Sequence, residues 1–244
     1  MSSRRRLQIL ILATVAVFIG FFISAGFLVR VMSEYRQADQ EYQELNQYVA
    51  VPIGEGEGEL ADSQNSSSVA LLTFLSIDFE GLAAENGEIA AWIDIPGTGI
   101  SYPVVRGEDN DRYLATTFRG EANRAGCIFM DYRCVNPMQE GRTILYGHNM
   151  RNRSMFGNLR EFQNADYLAG HPYLCLYLPD GSRYLCQIIE WFRTEETTDL
   201  FSIDAPDGPE LDLVTCVSGR AGERLVIRAL PVCESEIDDF LTAK

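Results

Sequence analysis

The longest apolar run in the chain comes first. From Leu7 to Val29 there is no charged residue. As a helix rising ~1.5 Å per residue this run spans roughly 34 Å, enough for a hydrocarbon core of ~30 Å. A cleavable signal has a shorter apolar region, about 7–15 residues, ending in a small-residue site. The only such site here, Ser24-Ala25-Gly26, lies inside the run, so an uncleaved signal anchor is expected. Arg4, Arg5 and Arg6 place the N-terminus in the cytoplasm and the remainder outside, although Arg30 on the far side weakens the asymmetry. A polar, helix-forming segment follows to Ala50, and then Ile53 to Ser68, built of Gly, Glu and Ser, cannot bury a core and reads as a flexible linker. The pattern predicts a cytoplasmic tail over residues 1–6, a transmembrane anchor over 7–29, an extracellular stalk and linker over 30–68, and one folded domain over 69–244.

Inside that domain the period changes. Leu72, Leu75, Phe79 and Leu82 recur at helical spacing and predict one buried stripe. From Ile89 onward come short β-like runs separated by turn signals: AAWIDI, ISYPVV, GCIFMDY, TILYGH, YLCLYL, RYLCQIIEWF, LDLVTC and RLVIRAL. About eight strands with short connections predict a mainly β chain closed, or nearly closed, into a barrel. Two interruptions read as helical, NDRYLATTF and MFGNLREFQNADYLAGH. In LPDGS, Pro179 and Asp180 suit a type I turn and Gly181 the left-handed bulge position.

Composition narrows the partners. Of 244 residues 46% are hydrophobic, enough for one real core, and the formal net charge of −15 repels phosphate backbones, which argues against nucleic acid. Six cysteines are present: Cys127, Cys134, Cys175, Cys186, Cys216 and Cys233. Outside a cell they invite disulfides. If Leu178 pairs with Ser182, Cys175 and Cys186 point to opposite sheet faces and cannot bridge; a two-residue Asp180-Gly181 turn would align them instead. Cys127 and Cys175 sit in apolar runs as buried free thiols. With no Cys-x-x-Cys and only two histidines, neither a metal nor a cofactor is expected.

Two residues stand out against this background. His148 ends the apolar run TILYGH beside Gly147, and Cys216 ends LDLVTC with Arg220 and Arg224 just downstream. A strand end at a barrel rim exposes its last side chain, and a nucleophilic cysteine wants that position with cationic neighbours. Each alone could equally be core. His171, which opens a strand after a helix, reads as structural.

Taken with ERLVIRAL, the two motifs resemble the sortases, membrane-anchored cysteine transpeptidases of Gram-positive bacteria. The stretch from Asp78 to Leu114, with YPVV and GEDND-YL, resembles the entry region of class B members. YGHNM, MFGNL, HPYL and YLPDG follow in the order of that class, and the resemblance covers about Asp78 to Leu230. It implies a sortase-like closed barrel with N-terminal helices and short inserted helices. It also implies Cys216 as nucleophile, His148 as catalytic histidine and Arg224 as catalytic arginine, with Arg228 the second choice. Asn110, Leu114 and Thr215 would line a peptide groove. The implied reaction cleaves a C-terminal sorting motif of secreted proteins after Thr through a cysteine thioester. The acyl group then passes to an amine of a peptidoglycan precursor or a pilin, for wall anchoring or pilus assembly. Two departures stand out. The stretch between Phe192 and the cysteine strand is short where class B members carry a long insertion, which puts substrate preference in doubt. Ser218 stands where some members have an acidic residue. A cysteine peptidase releasing product to water, and a catalytically silent surface peptide-binding module, remain as alternatives.

Overall fold

A computed structural model describes residues 3–51, 74–195, 203, 208–217, 219–220 and 222–232. The chain divides into two compact units, Met1–Glu41 and Tyr42–Lys244. Helix α1 (Ser3–Leu45) supplies all of the described first unit. Its large apolar side chains between Leu12 and Val29, among them Phe18, Phe21, Phe22 and Phe27, are exposed all round. Among the described residues this is the one helix long and apolar enough to cross a membrane. The linker over 53–68 and the domain boundary expected at Val69 lie outside the described residues.

The second unit takes in the last turn of α1, which the sequence pattern assigned to the stalk. Leu45 is fully buried there. A 3-10 turn (Asn46–Tyr48) leads to β1 (Val49–Ala50), which pairs antiparallel with β2 (Ser76–Ile77). The stripe predicted as one helix is divided. Leu72 lies outside the described residues, Leu75 precedes β2, and only Phe79 and Leu82 are helical, in α2 (Phe79–Glu85). Asp78 sets that start, because its side chain accepts from the Gly81 amide at 2.9 Å as an N-cap.

Each of the eight predicted β runs forms a strand: β3 (Ile89–Ile95), β4 (Ile100–Val105), β5 (Ile128–Met130), β6 (Arg142–Tyr146), β7 (Tyr173–Tyr177), β8 (Arg183–Glu195), β9 (Glu210–Cys216) and β10 (Glu223–Pro231). They close into one barrel in the order β10-β8-β7-β3-β4-β5-β6-β9. Closure removes open sheet edges. Two junctions are parallel, β4 with β5 and β6 with β9. β8, expected to end near Phe192, runs on to Glu195.

The β7–β8 hairpin closes with Leu178 N–H donating to Ser182 O at 2.9 Å and Gly181 at φ +88°. Its register pairs Leu174 with Cys186 and Cys175 with Leu185, so the two thiols face opposite ways and the aligned two-residue turn is not formed. The five cysteines among the described residues are free; Cys233 lies outside them.

The helical interruptions are shorter than their sequence patterns. NDRYLATTF holds only a 3-10 turn at Arg112–Leu114. The second interruption splits into a 3-10 helix (Gly157–Gln163) and α3 (Ala165–Gly170), started by the Asn164 side chain accepting from Asp166 N. His171 ends α3. Its Nδ1 donates to Tyr167 O at 2.9 Å and its ring stacks on Tyr167 at 4.3 Å.

Candidate active site at three strand ends

The parallel pairing of β6 and β9 carries the site. Their register sets Tyr146 beside Val214, so the residues that follow, His148 and Cys216, leave the barrel at the same level. Three hydrogen bonds fix this junction: Gly147 N–H to Val214 O at 3.1 Å, Thr215 Oγ1 to Gly147 O at 2.7 Å, and Asn149 Nδ2 to Cys216 O at 2.8 Å. On the other side of β9, antiparallel β10 sets Arg224 directly opposite Cys216. Directly paired residues point to the same face of a sheet. Cys216 therefore stands on the middle strand of three, between a histidine and an arginine.

All three residues line one cavity of about 320 Å³, together with Asn110, Leu114 and Thr215. That volume is at the lower end for a ligand cleft. Its walls mix apolar groups, Phe129, Tyr146 and Val214, with charged ones, Asp111 and Arg133.

His148 is oriented by backbone. Its Nε2 lies 2.7 Å from Leu114 O. A carbonyl oxygen only accepts, so Nε2 carries the hydrogen and Nδ1 is left to exchange a proton. Gly147, before it, answers to close packing. A Cβ there would lie within 2.7 Å of the Phe156 ring and would also strike Ile128.

The three downstream arginines separate by their partners. Arg220 has a largely exposed side chain that pairs with Glu223 at 3.4 Å. Arg228 donates twice to Asp212, at 2.9 Å each, and faces Glu190 at 3.4 Å. Arg142 joins this cluster through Glu210 at 2.8 Å and Asp212 at 3.3 Å. Burial pushes the Asp212 carboxyl up, against the pull of Arg228 and Arg142. Arg228 is therefore committed to this carboxylate cluster in the middle of β10, and Arg224 is the half-buried arginine at the cavity.

The groove residues expected from the sequence divide by role. Leu114 is 42% exposed, and its carbonyl also holds the histidine. Asn110 reaches the cavity, but its amide is engaged: Nδ2 donates to Asp131 Oδ2 at 3.0 Å and Oδ1 accepts from Tyr132 N at 3.1 Å. The buried Thr215 hydroxyl braces β6, as given above. Sequence reading missed the support below the cavity. Asp131 is fully buried and accepts from Arg133 Nη2 at 2.7 Å and from the Tyr146 hydroxyl at 3.1 Å. Burial by itself raises this carboxyl, but Arg133 and Asn110 hold it below the usual range. Tyr146 was signalled by its place at the end of the apolar run before His148 and Asn149 by its place after it; Arg133 sits in a loop with no periodic signal. Ser218 lies outside the described residues, as does the short stretch between Glu195 and β9 apart from Ile203 and residues 208–209. Ile203 packs on Ile144, Val214 and Val226.

Comparison with known proteins bears on this geometry. Residues 93–232 match the Sortase domain family. The chain is 39% identical over 119 residues to sortase B of Listeria monocytogenes, a match covering 49% of this chain and 47% of that protein, so it spans about half the length of this curated relative. Among solved structures it is similar to sortase B from Bacillus anthracis, with TM-score 0.62 and 26% identity over 83% of this chain and 99% of that one. It is also similar to a sortase B complexed with triglycine, with TM-score 0.56 and 25% identity over 64% of this chain and 86% of that one.

Proposed function

This chain belongs to the sortase family, and from that premise we propose that it is a class B type cysteine transpeptidase that cleaves a sorting motif of secreted proteins and hands the acyl group to an amine. The observation that carries the reading is the juxtaposition of the ends of β6, β9 and β10, which brings His148, Cys216 and Arg224 to one cavity.

The chemistry follows from the residue types. The Cys216 thiolate attacks the carbonyl carbon of the scissile threonine, forming the C–S bond and a tetrahedral oxyanion. Arg224 donates hydrogen bonds to that oxygen; removing one such donor costs on the order of 10²–10³ in rate. As the C–N bond breaks, protonated His148 gives the proton on Nδ1 to the departing amine, while Nε2 stays held by Leu114 O. The incoming amine then attacks the thioester, His148 takes its proton, and the thiolate leaves. The amine comes from a peptidoglycan precursor or a pilin. The triglycine bound by one relative supports a small peptide amine. Asn110, Leu114 and Thr215 shape the groove, Asn110 and Thr215 through the scaffold they hold. The apolar helix anchors the chain with its N-terminus in the cytoplasm and the barrel outside, where secreted substrates emerge.

The test is amine dependence. Motif peptides are incubated with the full chain, with and without triglycine, and products are read by mass spectrometry. The expected product is the motif up to threonine joined to the amine, lost in Cys216→Ala and lowered about 10²–10⁴-fold in His148→Ala. Hydrolysed peptide alone, at a rate indifferent to amine, would identify a peptidase. Binding of the peptide without any cleavage would identify a silent module.

A further inference from the structure

We propose that Tyr42, in the last turn of α1, is a positioning residue for His148, so that the point where the chain enters the second unit sets the geometry of the imidazole. The inference rests on the reading of His148 as the proton carrier for Cys216. Tyr42 is 6% exposed and reaches the histidine's surroundings by two routes.

The first route is polar. The Tyr42 hydroxyl donates to Gly126 O at 2.7 Å in a buried setting. Gly126 holds φ +61°, and a Cβ on it would stand 3.2 Å from the His148 ring and 3.1 Å from Leu114 O. Gly126 is therefore backbone laid against the imidazole edge, next to the carbonyl that Nε2 binds. Cys127 N–H to Tyr113 O, at 3.0 Å, ties the same two segments together. Without its donor the buried Gly126 carbonyl must move to find another, and the wall moves with it.

The second route is aromatic. The Tyr42 ring meets Tyr102 edge-on, with centroids 5.5 Å apart at 88°. The Tyr102 hydroxyl accepts from Met155 N at 3.2 Å. Met155 bridges to Asn149, and Phe156 N–H donates to His148 O at 3.1 Å. One side chain thus supports both the loop that binds the imidazole and the loop that carries its backbone. A proton carrier displaced by ~1 Å can lose on the order of 10²-fold in rate.

The experiment uses the full chain in detergent micelles. Tyr42→Phe keeps the ring and removes the hydroxyl; Tyr102→Phe breaks the second route. Acyl transfer from a motif peptide to triglycine gives kcat and KM. The chain has two histidines, so imidazole resonances report His148 directly, with His171 as the internal control. Expected for Tyr42→Phe are a kcat about 10-fold lower with KM unchanged, displaced His148 resonances, unmoved His171 resonances and a melting temperature lowered by only a few degrees. Loss of rate with unmoved His148 resonances, or displaced resonances with full rate, overturns the proposal. So does a loss that only follows the folded fraction, with His171 moving too. If the wild type transfers no acyl group the transpeptidase reading fails, and the His148 resonances alone then decide whether Tyr42 positions the ring.

Discussion

Cys175 and Cys186 are pushed by burial up to about 11 and about 12, and burial raises Cys134 as well. Such thiols are inert near neutrality. Cys216, half-buried at a strand end, opens onto the cavity. In native protein at pH 8, iodoacetamide should therefore alkylate Cys216, with Cys175 and Cys186 reacting only after denaturation. Peptide mass spectrometry checks this, and early loss of the two barrel thiols would contradict it. Asp131 makes the opposite case. Its carboxyl is held below the ordinary value of 3.8 by Arg133 and Asn110 despite burial. A carboxylate with a lowered folded pKa adds stability above its unfolded value, near ~4, and loses it as pH falls through the lower folded value. Asp131→Asn should cost about 2–3 kcal/mol at pH 7 and flatten the loss of stability below pH ~4, as read from urea melts across pH. The buried cysteines were legible in their apolar runs. Asp131 was not, because its partners Asn110 and Tyr146 lie 21 and 15 residues away and no local pattern joins them.

The strands were the legible elements. Short apolar runs bounded by turn residues belong to the chain locally, and all eight became barrel strands. The helices were less legible, because their limits are set by side-chain caps such as Asp78 and Asn164 and by tertiary pairing of β2 with β1. Which strands would be neighbours could not be read from periodicity, yet the parallel β6–β9 junction is what sets His148 level with Cys216. Two substitutions probe that junction. Gly147→Ala puts a methyl into Phe156 and Ile128; overpacking of this kind costs about 1–3 kcal/mol. It should lower the melting temperature, and acyl transfer by at least about 10-fold. Thr215→Val removes the hydroxyl that donates to Gly147 O. The stability cost should be about 1 kcal/mol, with a larger relative loss of rate than of stability. Equal, small effects in both assays would show that the junction tolerates movement.

At the scale of the whole chain, the second unit begins inside a helix. Leu45 and Tyr42 are buried, and Arg119 joins Glu44 at 2.5 Å to Glu85 at 2.6 Å. A chain starting at Glu34 should melt as the full chain does. One starting at Val51 should lose about 3–5 kcal/mol, from two buried side chains and the β1 pairing. Equal melting of the two would mean that this segment adds nothing. The long apolar helix was plain in the sequence; that residues 42–45, within the expected stalk, serve the barrel was not, since they look polar and helical and Tyr42 meets its partner about 80 residues away. The order of strands has a further consequence, in time. Among the described residues β9 and β10 are the last strands, and β9 must insert beside β6, far earlier in sequence, before Cys216 reaches the cavity. Long-range pairings of this kind form slowly. A chain synthesised N-terminus first therefore holds His148 long before Cys216 and Arg224. On the proposed reading it transfers no acyl group until synthesis has passed Arg224, and a product cut short before β9 lacks both the thiol and the arginine of the cavity.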